Sequence, residues 1–471
     1  MSLNEELIIR KPSDVSDFID KNPMRSSSLL IVLIALGGIF IDAYDFTSLG
    51  IGVVQIKSAF HLTPFELGSV TATMAFGALL GALSGGIATD KVGRYKMFLL
   101  DLVLLVISAL GAALSTSLAM LLVFRFFMGV GVGLDFPVAL SFIAEFVNVK
   151  KRGGSINLWQ VMWYVAASCT GLVVLPIYFL TGGAASENLW RYAVGFGSVP
   201  AFIILILRYI YMKESAPWAA QNLGLNEAAK ILERIYKIPV KVIKDANVEI
   251  VKTTKKIPKI KDLFVKKYIA RTILISIICA TQSMEYFAIG FNLPSISQTL
   301  FGKDFIHAII GAILFNLFGI AGATVNSLLT RKMGVRKMAI VGYIVVIISL
   351  ILVFNYHKVM SDEIIALLIG TMILGHSFGP GSQGMTMAAL SYPTSIRGTG
   401  TGWGQAMVRV GSILGFYFFP ILIAIVGFYN MVGLLSLVPI AGLIAALIIK
   451  WEPVGKNLDE TEKEELEAFV E

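Results

Sequence analysis

The chain has 471 residues, of which 56% are hydrophobic and only 15% are charged, and its mean hydropathy is +0.78. Soluble proteins carry charge on about a quarter of their residues, so this composition excludes an ordinary soluble chain and a disordered one. The net charge is +8, but the basic residues lie between apolar runs, which is typical of membrane topology signals rather than of nucleic-acid binding. With only two cysteines, Cys169 and Cys279, neither a disulfide nor a zinc site is expected.

Apolar runs long enough to span a bilayer dominate the chain. A helix needs about 20 mostly apolar residues to cross the hydrocarbon core, and twelve runs of that length or longer follow one another. We therefore predict an all-α membrane protein with twelve transmembrane helices in two pseudo-symmetric six-helix bundles. By residue number, the expected spans are 28–56, 66–88, 97–117, 120–147, 156–180, 190–212, 269–298, 304–330, 336–356, 362–390, 398–425 and 428–450.

Polar segments surround the two predicted bundles. Basic residues concentrate in alternate connections, and this asymmetry predicts a multi-pass protein of the cell membrane with both termini in the cytoplasm. The polar start is expected to lie along the membrane surface, and the linker to be a tether that contains an amphipathic helix near 227–236. The expected parts are a cytoplasmic N-terminal segment (1–27), an N-terminal bundle (28–212), a cytoplasmic linker (213–268), a C-terminal bundle (269–450) and a cytoplasmic tail (451–471).

The two predicted bundles resemble each other in sequence. The basic segment 90–96 follows the second span, and the segment 331–337 follows the eighth, which is the second span of the later bundle. Likewise, Arg152-Gly153 follows the fourth span and Arg397-Gly398 follows the tenth. Repeated helical halves with a site at their interface are the architecture of secondary transporters.

A motif with the spacing Gly86-x-x-x-Asp90-Lys91-x-Gly93-Arg94 ends the second span. Gly86 allows close helix packing and Gly93 permits a tight turn, whereas Asp90 places a fixed charge at a helix end. Pairing of that charge with a neighbouring helix can favour one conformation over another. The spacing resembles the loop motif of the major facilitator superfamily. The resemblance implies two halves that rock about a central site, with these residues as a conformational lock.

Three ionisable residues occur in the fourth span. Arg125 begins a glycine-rich stretch, Asp135 lies near mid-span, and Glu145 lies near the end. Isolated charges at membrane depth cost several kcal/mol, so each should face a partner or a cavity. Asp135 is a candidate proton or substrate group, whereas Glu145 is expected to pair with Arg152 or Arg397 as part of the lock. The pattern resembles the sugar, phosphate and organic-acid branches together.

Acids in other spans are candidate proton carriers. Asp42 and Asp45 lie on one face of the first helix, and the pair resembles the first span of aromatic-acid and phosphate symporters; the alternative is a structural pair. His376 in the tenth span is either a proton relay or a packing residue. The predicted proton-coupling residues are Asp42, Asp45, Asp135 and Glu285.

Arg409 in the eleventh span is the main indication of the substrate. A guanidinium is permanently charged and binds a carboxylate through two hydrogen bonds, which favours an organic anion; the alternative is neutralisation by Glu285 or Asp45. The surrounding segment 392–415 is similar to that of aromatic-acid/proton symporters. The candidate substrate-binding residues are Arg125, Arg409, Tyr44, Gln160, Trp163, Gln282, Asn292, His376 and Gln383.

Two related branches fit the sequence less well. Phe136, Ile289 and Gly381 stand where the phosphate symporters have two tyrosines and an asparagine, so three polar phosphate ligands are absent. Sugar porters share several fourth-span and tenth-span residues, but of their paired glutamines in the seventh span only Gln282 is clear.

The predicted function is therefore proton-coupled symport of a small organic carboxylate by alternating access. The alternatives are a proton-coupled sugar porter, then a phosphate symporter or a drug:proton antiporter, and, outside transport, a membrane sensor. The single Gly-x-Ser-x-Gly match, at residues 375–379, lies inside an apolar predicted span, and no His-Glu-x-x-His or phosphate-binding loop occurs in the sequence, so an enzyme with catalytic residues is not expected. The expected partners are the small-molecule substrate, protons and the lipid bilayer, without nucleic acid, metal or cofactor, and the expected state is a monomer.

Overall fold

The computed structural model describes residues 7–22, 27–183, 188–243, 259–302, 304–456 and 458, and structural statements below concern this part of the chain. Its helices are α1 (Pro12–Lys21), α2 (Ser27–Ala59), α3 (Pro64–Val92), α4 (Arg94–Ala113), α5 (Leu118–Phe146), α6 (Val149–Leu180), α7 (Leu189–Phe196), α8 (Ser198–Tyr211), α9 (Ala216–Asn222), α10 (Leu225–Tyr236), α11 (Ile269–Ile289), α12 (Leu293–Phe301), α13 (Phe305–Met333), α14 (Val335–Tyr356), α15 (Asp362–Phe378), α16 (Pro380–Leu390), α17 (Arg397–Val426), α18 (Phe428–Leu435) and α19 (Leu437–Ile448). Short 3₁₀ helices cover Ile260–Phe264 and Gly290–Asn292, and two strands are β1 (Leu7–Ile9) and β2 (Val240–Val242).

Twelve of the described helical segments are long and apolar enough to span a membrane, in agreement with the predicted number. The sixth, tenth and twelfth spans are each made of two helices, α7–α8, α15–α16 and α18–α19. The tenth breaks at Gly379-Pro380, where proline lacks an N–H and interrupts the helix. The sixth span breaks at Gly197. A side chain there would collide with the carboxyl of Asp45, so glycine lets the backbone pass beside that acid.

Glycines let helix backbones within the first six spans touch. On α3 and α5, a side chain added at Gly77, Gly81, Gly129 or Gly133 would meet backbone atoms of the facing helix. Close approach of this kind maximises van der Waals packing where no hydrophobic effect acts between helices. Close packing of α3 against α5 holds the ionisable residues of the fourth span in place.

The N-terminal segment and the linker pack against each other, a contact that was not predicted from the sequence. Strands β1 and β2 pair in parallel, with Leu7 opposite Val240. The apolar face of α1, including Phe18 and Ile19, is buried with residues of α9 and α10 such as Leu232. Because these apolar side chains cover one another, α1 does not need the membrane to bury its apolar face.

Candidate functional site

A central cavity of about 340 Å³ lies between the first six and the last six spans. Its apolar walls are aromatic and come from α5, α6 and α11: Phe136, Trp159, Trp163, Tyr286 and Phe287. Its polar lining includes Gln160, Gln282, Gln405, His376 and Arg409. The cavity thus gathers five predicted substrate residues, Gln160, Trp163, Gln282, His376 and Arg409, from four helices that are far apart in sequence.

Arg409 brings unsatisfied donors to this cavity. Its side chain is 1% exposed, and neither Nε nor Nη1 has a hydrogen-bond partner among the described residues. The guanidinium lies 5.0 Å from the ring centre of Phe46. In the described part of the chain, neither Glu285 nor Asp45 forms an ion pair with it, and the acid that acts on it electrostatically is Asp42. Buried donors without acceptors are costly, so an acceptor from outside the protein fits here.

The two acids of the first span interact with different arginines. Asp42 and Asp45 are both essentially inaccessible to solvent, and none of their four carboxyl oxygens has a described hydrogen-bond partner. Asp42 interacts electrostatically with Arg409, on the opposite half, and Asp45 with Arg125. The neighbouring Tyr44 does not line the cavity, and its hydroxyl donates to the carbonyl of Ala193 at 2.8 Å.

Asp135 forms a buried cluster with two residues that the sequence analysis missed. Arg208 Nη2 donates to Asp135 Oδ1 at 2.7 Å, and Arg208 Nη1 donates to both carboxylate oxygens of Asp101 at 3.1 Å. All three side chains are fully buried. One signal was available: Asp101 in the third span and Arg208, the second of two arginines in the sixth, each need an opposite charge at membrane depth.

Glu285 and His376 form a second buried pair, on α11 and α15. His376 Nδ1 and Glu285 Oε1 are 2.9 Å apart, and the imidazole stacks on Tyr286 with 5.0 Å between ring centres. The hydroxyl of Tyr286 accepts a hydrogen bond of 3.0 Å from Trp163 Nε1. Because Trp163 belongs to α6, this chain of contacts connects the last six spans to the first six.

The motif between α3 and α4 joins the two halves at one end of the bundle, called the motif end below. Asp90 Oδ1 accepts from the backbone N–H of Gly398 at 2.9 Å, and Oδ2 accepts from the N–H and hydroxyl of Thr399 at 2.7 and 2.9 Å. Gly93 has φ +107°, a conformation that favours glycine, and thereby allows the sharp turn into α4. These contacts bind α3 to the start of α17.

A charge network continues this closure. Arg94 lies 2.7 Å from Glu145, and the same carboxylate is 3.1 Å from Arg397 of the other half. The pairing of Glu145 with Arg397 was expected, whereas the ion pair observed for Arg152 is with Asp20 of α1, at 2.7 Å. Nearby, burial raises the pKa of the Glu214 carboxyl, although it accepts hydrogen bonds from the backbone N–H groups at the start of α4.

Four of the nine predicted substrate-binding residues are absent from the lining of the central cavity: Arg125, Tyr44, Gln383 and Asn292. Gln383 belongs to a polar contact between the halves nearer the motif end, where Asn157 donates to its Oε1 at 3.4 Å and to Thr330 at 2.6 Å. Asn292 follows α11 and donates to the carbonyl of Ala288 at 2.9 Å. Hydropathy places Gln383 in the correct span but does not give its depth along the pathway. Asn292 lies beyond Ile289, where the seventh candidate span ends, so its predicted place within that span was wrong.

An aromatic layer bounds the cavity on the side away from the motif end. Trp163, Tyr286 and Phe287 line both the central cavity and a second, largely apolar cavity of about 620 Å³. Phe46 packs on this layer, with its ring centre 5.8 Å from that of Phe287. The central cavity is therefore separated from the second cavity by side chains, and from the motif end by the inter-half contacts.

Replacing Gly86 with valine is expected to open the motif end. A Cβ at this position would lie 2.6 Å from the carbonyl oxygen of Gly398 and 3.0 Å from Cα of Gly402, and backbone atoms cannot move aside. Overpacking of this type costs about 1–3 kcal/mol, so α3 and α17 should separate. The reporter is Ser141→Cys, a cysteine at a buried position between the halves, in a chain that lacks Cys169 and Cys279. We expect it to be alkylated at least about ten times faster with Gly86→Val than with Gly86.

The matched control for this variant is Ser84→Val, which places the same side chain on an exposed position of the same helix. It should leave the alkylation rate of the reporter Ser141→Cys unchanged. Equal rates in Gly86→Val and the Ser84→Val control would show that the Gly86 contact does not hold the two halves together.

Comparison with known proteins agrees with this architecture. The family model described as "Major Facilitator Superfamily" matches residues 35–381 and 312–470. The chain is 27% identical to the putative metabolite transport protein YaaU of Escherichia coli K12, covering 92% of this chain and 94% of that protein. It is 23% identical to the 4-hydroxybenzoate transporter PcaK of Pseudomonas aeruginosa PAO1, covering 93% and 95%.

Among solved structures, the proton:xylose symporter XylE bound to 6-bromo-6-deoxy-D-glucose shares the fold with a TM-score of 0.76 at 19% identity, covering 93% of this chain and 99% of that one. The predicted all-helical fold is thus confirmed. The chain belongs to the major facilitator superfamily, whose members are multi-pass membrane transporters and not enzymes.

Proposed function

We propose that this transporter carries a small organic carboxylate, of aromatic type, in symport with protons. The observation that carries the proposal is Arg409, a buried guanidinium at the central cavity with two N–H groups that lack protein acceptors. A carboxylate supplies two acceptor oxygens in the geometry that a guanidinium binds best. The substrate carboxylate would also balance the positive charge of the Arg409 guanidinium.

The walls of the cavity favour an aromatic anion. Five aromatic side chains surround the polar groups, and flat apolar rings pack well against such surfaces in edge-to-face or offset arrangements. PcaK, whose name assigns it 4-hydroxybenzoate, is consistent with an acid of this shape. The substrate ring would then lie against Trp163 and Phe287, with its carboxylate toward Arg409.

Proton coupling follows from the charges around Arg409. In the substrate-free site, Asp42 is the acid that acts on this arginine. A substrate carboxylate on Arg409 takes over that role and leaves Asp42 as a buried anion without a counter-ion, which protonation relieves. Substrate and proton therefore bind together. The proposal includes three further proton-coupling residues: Asp45, which interacts with Arg125, and the acids Asp135 and Glu285.

Alternating access would use the two closures of the cavity in turn. The contacts of Asp90, Arg94, Glu145 and Arg397 close the motif end, and the aromatic layer closes the other. The excess of basic residues in the connections at the motif end supports its location in the cytoplasm, and with it cytoplasmic termini. Rocking of the two halves breaks one set of contacts while the other forms.

A sugar is the second candidate, on a separate observation. The side-chain amide of Gln405 has neither a donor nor an acceptor partner, and Gln160 Oε1 is also unpaired among the described residues. Both line the central cavity. Amide groups that lack partners among the described residues suit the hydroxyl groups of a sugar, because a hydroxyl can both donate and accept a hydrogen bond.

Uptake into proteoliposomes tests the proposal. The purified protein would be given an inward proton gradient and labelled 4-hydroxybenzoate, succinate, glucose, xylose or phosphate. We expect the gradient to drive accumulation of the aromatic acid, and a protonophore to abolish it. Gradient-driven sugar uptake with the acids inert would instead assign a sugar porter, with Arg409 serving only to balance Asp42.

A further inference from the structure

We infer that Asp101, Asp135 and Arg208 form a second proton-binding site, separate from the substrate cavity and from the Asp45–Arg125 pair. The inference rests on the proposed proton-coupled function. It adds two residues, Asp101 and Arg208, to those that handle protons. These residues come from α4, α5 and α8, and each side chain is fully buried.

Arg208 is held rigidly at the centre of this cluster. Besides the two carboxylates, it donates to the backbone carbonyls of Ala35 at 2.7 Å and Phe98 at 3.2 Å, and its guanidinium lies 4.4 Å from the ring centre of Phe98. The arginine is permanently charged. Its positive charge is therefore fixed in place, and any change of charge in the cluster must occur on the carboxyl groups.

The charges of the cluster do not balance when both acids are ionised. Asp101 and Asp135 together carry two negative charges against the single positive charge of Arg208. A net charge buried at membrane depth costs several kcal/mol, and one proton shared by the two carboxyl groups removes it. Asp135 Oδ2 is buried and has no described hydrogen-bond partner, so an oxygen is free to hold that proton.

The groups that face the cluster make this imbalance larger. Asp42 of α2 interacts electrostatically with Asp135, Asp101 and Asp45, and its positive counterpart is Arg409 of the other half. When a substrate carboxylate binds Arg409, the negative charge of Asp42 is no longer balanced by that arginine. The second site and the substrate site are thus linked through Asp42, although neither Asp101, Asp135 nor Arg208 lines the central cavity.

Helix α2 supplies a mechanical link as well. Gly38 precedes Asp42 by one helical turn and lies so close to Asp135 and Arg208 that a side chain there would collide with both. A movement of α2 that accompanies substrate binding therefore acts on the cluster directly. The consequence is a stoichiometry of two protons for each monovalent anion, so that transport carries one net positive charge inward.

Infrared spectroscopy tests the site without a substrate. Attenuated total reflection spectra recorded across a pH titration report protonated carboxyl groups through their C=O stretch. We expect one such band in the wild type to disappear in both Asp101→Asn and Asp135→Asn, which keep the side-chain shape. The control Asp304→Asn replaces an acid whose side chain is 82% exposed and should leave the band unchanged. A band that persists in both cluster variants would overturn the inference.

Transport of 4-hydroxybenzoate provides the second readout. With no pH gradient, a potassium diffusion potential negative inside should stimulate wild-type uptake, and Asp101→Asn should lose this stimulation while keeping uptake driven by a pH gradient. Wild-type uptake that responds to the pH gradient but not to the potential would contradict two protons while leaving the proposed function intact. No gradient-driven uptake of any acid would instead defeat the proposed function, and the infrared band would still decide whether the cluster binds a proton.

Discussion

Uptake of the aromatic acid is expected to fall by at least about 100-fold when Arg409 is replaced by alanine. Each hydrogen bond between a guanidinium N–H and the substrate carboxylate contributes about 1.5–3 kcal/mol, and each 1.4 kcal/mol corresponds to a factor of ten. The variant loses both hydrogen bonds and also leaves Asp42 without a positive counterpart. Initial rates of uptake over a range of concentrations measure the change in KM and in maximal rate.

The conservative variant separates binding from charge balance. Arg409→Lys keeps a positive charge beside Asp42 but cannot form the paired hydrogen bonds of a guanidinium, so it should raise KM while retaining proton-driven uptake at high substrate concentration. The matched control is Arg191→Lys, because Arg191 donates to the backbone carbonyls of Ala113 and Ser115 outside the cavity. Unchanged KM for the acid in Arg409→Ala would refute a role of Arg409 in substrate binding.

Replacing Asp45 with asparagine is expected to abolish proton-driven accumulation while sparing exchange. Asparagine keeps the shape of the side chain but cannot take up and release a proton, so the Asp45–Arg125 pair would stay fixed in one charge state. One pH unit across the membrane is worth about 1.4 kcal/mol, or tenfold accumulation, for each coupled proton. For this variant, the steady-state accumulation ratio under a pH gradient should fall to about one, the value without proton coupling.

Exchange of labelled for unlabelled substrate across the membrane serves as the folding control, because it requires no net proton movement. Asp304→Asn makes the same chemical change at an exposed residue and should accumulate substrate as the wild type does. Full accumulation by Asp45→Asn would exclude Asp45 from proton coupling. Proton coupling would then rest on Asp42 without Asp45; the Asp42 carboxyl also lacks a described hydrogen-bond partner.

Taken together, the two variants separate two steps of one cycle. Arg409 holds the anion, and the buried acids of α2 respond to the charge that the anion brings. Loss of Arg409 should affect exchange and accumulation alike, whereas loss of Asp45 should affect accumulation alone. If both variants lose exchange, the acids and the arginine act as a single structural unit and not as separate proton and substrate sites.

The amino-acid sequence by itself determined the architecture. Bilayer thickness requires long apolar runs, so counting these runs predicted the twelve spans that the described residues contain. Local chemistry also accounts for the break at Gly379-Pro380, since proline cannot continue the helical hydrogen bonds. The motif around Asp90 likewise marked a helix end whose fixed charge needs a partner on a neighbouring helix.

Only the tertiary structure decided which charges meet. Arg208 pairs with Asp101 and Asp135, which are 107 and 73 residues away in the chain, and Glu285 contacts His376 at a separation of 91 residues. Hydropathy shows that each buried charge needs a counterpart, but it carries no information on which helices are neighbours or at what depth two side chains face each other. For the same reason, the sequence did not show that Gln383 lies outside the central cavity, or that β1 pairs with β2.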